Sequence, residues 1–121
     1  IFMKNLVLFI TVLFFNISSY SQNTQLPKTE TKGNLQEVTI YYENGAIMQH
    51  GFYTKEGKLH GSWESYNSDG SKKCFATYNY GLKVGVWTYW SMHKITKIEY
   101  DNDNILKIEE INIREQDKNN Y

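Results

Sequence analysis

A seven-residue motif that occurs twice decides the fold: residues 57–63 read GKLHGSW, and residues 81–87 read GLKVGVW, 24 residues further along. Both copies fit the pattern Gly-x-x-x-Gly-x-Trp, and an aromatic residue follows each Trp after three places, Tyr66 in the first copy and Trp90 in the second. Similarity at a fixed short period is typical of repeat proteins, whose units bury surface only against their neighbours. The sequence therefore predicts a repeat architecture.

Turn-forming residues recur through the middle of the chain about every 12 residues, the interval typical of short strands joined by hairpin turns. Asn44-Gly45 and Asp69-Gly70 are two examples, and these residue types tolerate the positive φ angles of tight turns. The β-rich runs between the turns predict seven strands, at 38–42, 47–53, 58–66, 71–78, 82–90, 95–100 and 105–113. The predicted fold class is all-β, a single-layer antiparallel β-meander of about seven strands, whose edges are the first and last of these runs.

Two glycines lie inside the predicted strands. Gly61 and Gly85 stand two residues before Trp63 and Trp87, so each glycine shares a sheet face with its tryptophan. A glycine within a strand marks a bulge or the close approach of another group. We expect an aromatic ring from a neighbouring strand to cover each glycine. The candidate rings each end a strand: Tyr53, Tyr78 and Tyr100.

The repeat resembles the MORN-type repeat and, more narrowly, the bacterial MORN-repeat-variant proteins grouped as the YwqK-type antitoxin family. The resemblance covers about residues 41–108 and is carried by ten residues: Tyr53, Gly57, Gly61, Trp63, Tyr66, Tyr78, Gly81, Gly85, Trp87 and Trp90. A degenerate copy precedes them, and another follows in which Tyr100 is kept but the Gly-x-Trp is lost. The resemblance implies an elongated single-layer sheet that mediates association, and the family name implies neutralisation of a toxin.

The N-terminal segment has the pattern of a secretory signal peptide. Met3-Lys4 leads into about ten apolar residues, 6–15, and small residues, Ser19 and Ser21, stand at the −3 and −1 positions. This pattern predicts cleavage after Ser21 and export of a bacterial protein to the periplasm or the medium. An uncleaved segment would be the only predicted contact with a membrane, although it is about half the length of a spanning helix. The predicted organisation is a signal peptide (1–21), a flexible leader (22–36), a β-repeat domain (37–113) and a charged tail (114–121).

Charge and cysteine content narrow the function classes. The chain has 13 basic and 13 acidic residues, and removal of Lys4 with the signal peptide leaves 12 and 13, a formal charge of −1. No basic face is evident, so nucleic-acid binding is not predicted. Cys74 is the single cysteine and excludes an intramolecular disulfide. We interpret it as a small apolar residue, with a disulfide-linked dimer and a catalytic thiol as alternatives.

No catalytic, cofactor or metal site is predicted, and the chain is interpreted as not an enzyme. His50, His60 and His93 lack ligand-pair spacing, and no Gly-x-Ser-x-Gly nucleophile motif occurs. The acidic segment 101–104 resembles the start of a calcium loop. Apolar residues follow it where that loop needs glycine and further ligands, so we interpret it as a hairpin turn.

The aromatic residues remain as the candidate interaction surface. Alternation places Trp63, Trp87 and Tyr89 on one face, and Tyr66 and Trp90 on the other. The first hypothesis is association with an unknown protein or with a second copy through an exposed edge strand. The first strand is favoured for this pairing because charged residues, Lys107, Glu109 and Glu110, lie on the last. The alternatives are carbohydrate or cell-wall binding by the Trp63/Trp87 face, and toxin neutralisation as the family name suggests.

Overall fold

The computed structural model describes residues 26–114, which form one open antiparallel sheet of nine strands without a helix. The strands are β1 (Lys28–Lys32), β2 (Leu35–Tyr41), β3 (Ile47–Thr54), β4 (Leu59–Tyr66), β5 (Lys72–Asn79), β6 (Leu82–Lys83), β7 (Gly85–Trp90), β8 (Lys94–Asp101) and β9 (Asn104–Asn112). Their order in the sheet follows the chain, and the two-residue β6 pairs only with β5 beside β7. The predicted all-β antiparallel meander is confirmed.

The strand count and the edges differ from the prediction. Residues 28–36, predicted as part of a flexible leader, form β1 and the start of β2. β2, predicted to be an edge, pairs with β1 on one side and β3 on the other, so β1 and β9 are the edges. The run 82–90 is divided into β6 and β7. The predicted signal peptide and most of the predicted tail lie outside the described residues.

Glycine and asparagine shape the turns as their positions predict. Gly45, Gly57 and Gly70 close three similar loops, in which the glycine N–H donates to the carbonyl oxygen three residues earlier, at 2.9–3.0 Å. All three glycines have φ near +85°, between 82° and 87°. The segment 101–104 forms the predicted hairpin turn, in which Asn102 and Asp103 both have positive φ. Such pairs are typical of the two-residue turn that matches strand twist.

Gly61 and Gly85 mark local bulges. Between β3 and β4 the pairing passes from His50↔Glu64 to Phe52↔His60, so one residue of β3 lies opposite three of β4. The second unit has the same excess of two residues. Between the pairs Tyr78↔Lys83 and Phe75↔Thr88, two residues of β5 lie opposite the four residues 84–87. Gly61 and Gly85 lie in these excursions with φ of 73° and 70°. A bulge lets a strand insert residues without losing its later register.

The predicted reason for these two glycines is wrong. A Cβ added to Gly85 would meet no atom within 4 Å, and one added to Gly61 would lie 3.9 Å from Phe52 Cδ2. No ring covers Gly85, and the Phe52 ring comes only to ordinary contact distance of Gly61, which leaves room for a Cβ. The positive φ requires glycine, because this conformation brings the Cβ of an L-residue close to the following carbonyl oxygen.

The main core lies on one face of the sheet, which we call the tryptophan face. Its buried members are Trp63, Ala76 and Trp87, surrounded by partly buried side chains: Tyr53, Leu59, Cys74, Tyr78, Tyr89 and Tyr100. The opposite face has a smaller apolar row, in which the buried Ile95 pairs with Trp90 on β7 and Ile111 on β9. Across residues 26–114, only four apolar side chains are buried, and aromatic residues supply much of the packing.

Candidate functional site

Trp63 packs directly on the backbone of the preceding strand. A Cβ added to Gly51 on β3 would overlap the indole ring, so this position has room only for glycine. The indole Nε1 donates a hydrogen bond to the Phe52 carbonyl oxygen at 3.0 Å. The Tyr53 ring meets the indole edge-to-face, with 5.0 Å between ring centroids. Trp63 thus joins β4 to β3 through both its ring and its N–H group.

Trp87 repeats this arrangement one unit later, on β7 and β5. Its Nε1 donates to the Thr77 carbonyl oxygen at 3.0 Å, and the residue before Thr77 is the buried Ala76, the counterpart of Gly51. The rings of Tyr78 and Tyr100 meet the indole edge-to-face at 5.0 and 5.2 Å. The covering rings predicted from the sequence, Tyr53, Tyr78 and Tyr100, therefore pack on the tryptophans and not on Gly61 and Gly85.

The two tryptophans are core residues and not an exposed stacking surface. Trp63 is 4% exposed and Trp87 5%, and both indole N–H groups are hydrogen-bonded within the sheet. Lys83 covers Trp87 further, since its Nζ lies 5.0 Å from the ring centroid. A sugar ring has no free indole face to stack on at either position. The structure brings Trp63, Trp87 and Tyr89 together as expected, but as the centre of the fold.

Tyr89 and Cys74 lie side by side in the same cluster, on paired positions of β7 and β5. Burial is the main cause that raises the pKa of Tyr89 to about 12. Burial also raises the pKa of the Cys74 thiol, against a weaker opposing effect of Lys73. A thiol held in its neutral form is a poor nucleophile. The partly buried position of Cys74 in this cluster agrees with its interpretation as a small apolar residue.

Tyr66 and Trp90 lie on the opposite face, as alternation predicts. Tyr66 donates its hydroxyl to Glu64 Oε2 at 2.7 Å, which orients it along its own strand. Trp90 lines a concave region of about 600 Å³ next to the loops 67–71 and 91–93, with Asn67, Asp69, Ser71, Lys72 and Met92 among its other lining residues. Lys72 Nζ lies 5.4 Å from the Trp90 ring centroid. A half-buried indole here stands beside amide, carboxylate and hydroxyl groups.

Within residues 26–114, the two edges of the sheet have open backbone groups, and their side chains differ. β1 has the sequence KTETK, all five residues are exposed, and Lys32 forms an ion pair with Glu30 at 3.3 Å. β9 has nine residues and exposes three large apolar side chains: Ile105 at 55%, Leu106 at 61% and Ile108 at 58%. The sequence predicted β9 as a strand with charged residues. Its exposed apolar row was missed, although the repeated Ile and Leu at 105, 106 and 108 signal it.

The remaining polar candidates have structural roles. His60 Nδ1 accepts a hydrogen bond from the Tyr80 N–H at 3.1 Å, and Asp103 Oδ1 accepts one from the Lys83 N–H at 2.8 Å. Both bonds join one hairpin turn to a neighbouring strand or turn. In the part of the chain that the structure describes, no group of three His, Cys, Asp or Glu side chains is arranged to hold a metal ion. The same residues include no helix long and apolar enough to cross a membrane.

Comparison with known proteins gives no match: no family model, curated protein sequence or solved structure corresponds to this chain. The geometry of the sheet is therefore the basis for a functional proposal.

Proposed function

We propose that this chain is an exported, non-catalytic β-repeat module of the MORN type that acts by associating with another protein. The observation that carries the proposal is the β9 edge, where a nine-residue strand with open backbone groups exposes Ile105, Leu106 and Ile108. Edge strands with apolar side chains are sites for pairing with a further strand.

The contrast with β1 supports this choice of surface. Short length and charged residues on an edge strand discourage further pairing, and β1 has both features. The strands from β2 to β8 are already paired within the sheet. The β9 edge is therefore the open edge of the described sheet that is suited to a partner.

The tryptophan face offers less than β9 as a binding surface. Its largest rings are buried in the protein's own core, where Trp63 and Trp87 pack against tyrosines and on the preceding strands. Binding energy at protein interfaces comes mainly from aromatic and apolar groups that are exposed before binding and buried after it. This criterion favours the exposed residues of β9.

Export is the part of the proposal that rests on residues 3–22 alone. Its test is the intact mass of the protein recovered from cells that express the whole reading frame. A mature chain that begins at Gln22, found in the envelope or the medium, supports export. A full-length chain recovered from the cytoplasm would contradict export.

Association is tested by placing a photoreactive amino acid in β9, at Glu110, with a matched variant at Thr31 in β1. Both side chains are exposed, so neither replacement disturbs the core. We expect a discrete adduct with one protein from position 110 and none from position 31. Adducts from neither position would overturn the proposal. A toxin captured at position 110 would identify the antitoxin-like activity that the family name suggests.

Carbohydrate binding is a second candidate, favoured by the concave region at Trp90 and no longer by the Trp63/Trp87 face. Ligand sites combine an aromatic or apolar wall with a few polar groups that fix orientation, and Trp90, Asn67 and Asp69 provide both. Tryptophan fluorescence during titration with solubilised cell-wall fragments tests it. The expected shift should disappear in Trp90→Phe, because the other two tryptophans are buried. No shift in the unsubstituted protein would exclude this candidate.

A further inference from the structure

We propose that the partner at the β9 edge is a second copy of this chain, paired antiparallel through β9 about a two-fold axis at Ile108. The inference rests on the proposed association and names its partner. The sheets of the two copies would join into one continuous sheet, with the two β9 strands next to each other at its centre.

The backbone of β9 has free groups at the right positions. Ile113 donates its N–H to the His93 carbonyl oxygen on the β8 side at 2.8 Å. Inter-strand bonds alternate along an antiparallel ladder, so residues 111, 109 and 107 also bond toward β8. The N–H and C=O groups of Ile108 and Glu110 therefore point away from the sheet. Two copies of Ile108 placed opposite each other would exchange both of their free bonds.

The central side chains of β9, at residues 107–109, are self-complementary in this register. With the axis at Ile108, Lys107 lies opposite the partner's Glu109, and Glu109 lies opposite the partner's Lys107. Lys107 and Glu109 share one face because they are two residues apart, and both line the same concave area beside Val86. The pairing thus forms two identical ion pairs on that face. Ile108 meets its own copy on the tryptophan face.

Neighbouring registers lack this fit. A one-residue slip would place side chains of opposite faces across from each other. An axis at Lys107 sets two lysines opposite each other, and an axis at Glu109 or Glu110 sets two glutamates opposite each other. Like charges directly across a ladder are destabilising. An axis at Leu106 centres the pairing on the bulge that shifts the register between Tyr100 and Glu99 of β8, whereas an axis at Ile108 keeps the bulge outside the central pairs of residues 107–109.

The charges of β9 therefore select a partner and do not simply block the edge. On the β8 side, Lys107 and Glu109 already lie opposite Glu99 and Lys97. A second copy supplies opposite charges on the open side as well, whereas an unrelated strand has no fixed charges at those two positions. Specificity of this kind combines an attractive contact with a penalty for wrong partners. This reverses the expectation from the sequence, which took the same residues as a reason to favour the first strand.

Charge reversal tests the register directly in the purified mature protein, by sedimentation velocity over a range of concentrations. Lys107→Glu alone and Glu109→Lys alone each create two like-charge pairs across the interface, besides one like-charge contact with β8 in each chain. We expect each to weaken self-association by at least about tenfold, since like-charge contacts across an interface are costly. The doubly substituted K107E/E109K restores opposite charges across the interface and should dimerise more strongly than either single variant. Within each chain it sets like charges opposite Glu99 and Lys97 of β8, so the comparison is made with the single variants. An equimolar mixture of the two single variants should form a heterodimer, because each residue of one then faces its opposite charge on the other.

Lys32→Glu on the β1 edge is the matched control and should leave self-association unchanged. A wild-type protein that stays monomeric at every concentration overturns the inference. A wild-type dimer that is unaffected by the single reversals overturns the register. So does a dimer that is restored neither in K107E/E109K nor in the mixture of the two single variants. Circular dichroism and thermal unfolding of each variant confirm that the exposed substitutions leave the fold intact.

The outcomes separate this inference from the proposed function. A photo-adduct from position 110 with a different protein, together with a monomeric purified chain, overturns self-pairing and keeps association. An adduct between two copies supports both. No adduct and no dimer overturn both.

Discussion

The two tryptophan units use the same hydrogen bond with different packing. In the first, Trp63 presses on the bare backbone of Gly51 and has Tyr53 as its edge-to-face partner. In the second, the small residue is Ala76, and Trp87 is enclosed by Tyr78, Tyr89 and Tyr100. The comparison teaches that each unit matches a small residue on one strand to an indole on the next.

The degenerate unit that follows fits the same rule. Ile98 stands two residues before Tyr100, where Gly51 and Ala76 stand before Tyr53 and Tyr78. A large side chain at this position would occupy the space of an indole, and β9 has no tryptophan. The loss of the small residue and the loss of the tryptophan therefore go together.

The largest expected effect comes from removing either indole. Trp63→Ala and Trp87→Ala should each lower the free energy of unfolding by about 3–5 kcal/mol, the usual range for a buried tryptophan. We expect Trp87→Ala to cost more, because Trp87 has three tyrosine neighbours. Urea unfolding at neutral pH measures both losses. Equal losses would show that the additional tyrosines contribute nothing beyond contact with the strand.

The next largest effects are expected at the two small residues, Gly51 and Ala76, and they differ in size. Gly51→Ala should cost about 1–3 kcal/mol, since the new Cβ overlaps the Trp63 ring and overpacking falls in this range. The opposite change, Ala76→Gly, should cost about 0.5–1 kcal/mol, the usual penalty of glycine in a strand. In a Trp63→Ala background, Gly51→Ala should lose its cost. A cost that persists without the indole would contradict the overlap.

The third prediction concerns the feature that the two units share. Gly85→Val and Gly61→Val should each cost about 1–2 kcal/mol, because both positions have left-handed φ, which is strained for other residues. Gly85→Asn should cost less, since asparagine tolerates this conformation. The neighbouring Val84→Thr should stay within about 0.5 kcal/mol. Thermal unfolding of the four variants checks this, and a harmless Gly85→Val would remove the bulge explanation.

The smallest expected effect concerns Tyr89. The second unit has this tyrosine where the first unit has Ser65. The unfolded chain loses the tyrosine proton near the ordinary tyrosine pKa of about 10, whereas burial in the folded protein raises the pKa of Tyr89 to about 12. This stabilising contribution is complete below about pH 10 and is lost as the pH rises through about 12. Between these two values, Tyr89→Phe should therefore lose less stability with rising pH than wild type does. Urea midpoints that fall in parallel across this range would contradict it.

The motif predicted most of the sheet, and its errors have physical causes. Gly57, Gly81 and the segment 101–104 were placed correctly because turn residues act locally. The role of Gly85 was misjudged, since a glycine in a strand marks either a bulge or a close approach, and sequence alone does not distinguish them. β1 was missed because KTETK has no apolar residue and pairs with β2 through its backbone.

The sequence assigned the aromatic residues to their faces, but it did not predict their exposure and it missed the apolar row of β9. Alternation correctly separated Trp87 from Trp90, because side chains of consecutive strand residues point to opposite faces. Which face is buried depends on how rings of different strands meet, and both faces had aromatic residues. Ile108 is available for binding because no further strand pairs with β9 in the described sheet. One strand's own sequence does not contain that information.

The strand order has a consequence for the rate of folding. Since the strands pair with their neighbours along the chain, each hairpin closes a short loop, and its backbone pairing needs no distant segment. Folding rates of small proteins fall as the mean sequence separation of contacting residues rises, and all-β proteins are usually slow for that reason. We expect this sheet to fold faster than all-β proteins whose strands pair with distant segments. We expect its N-terminal hairpins to form independently of β8 and β9, while those strands are still being synthesised.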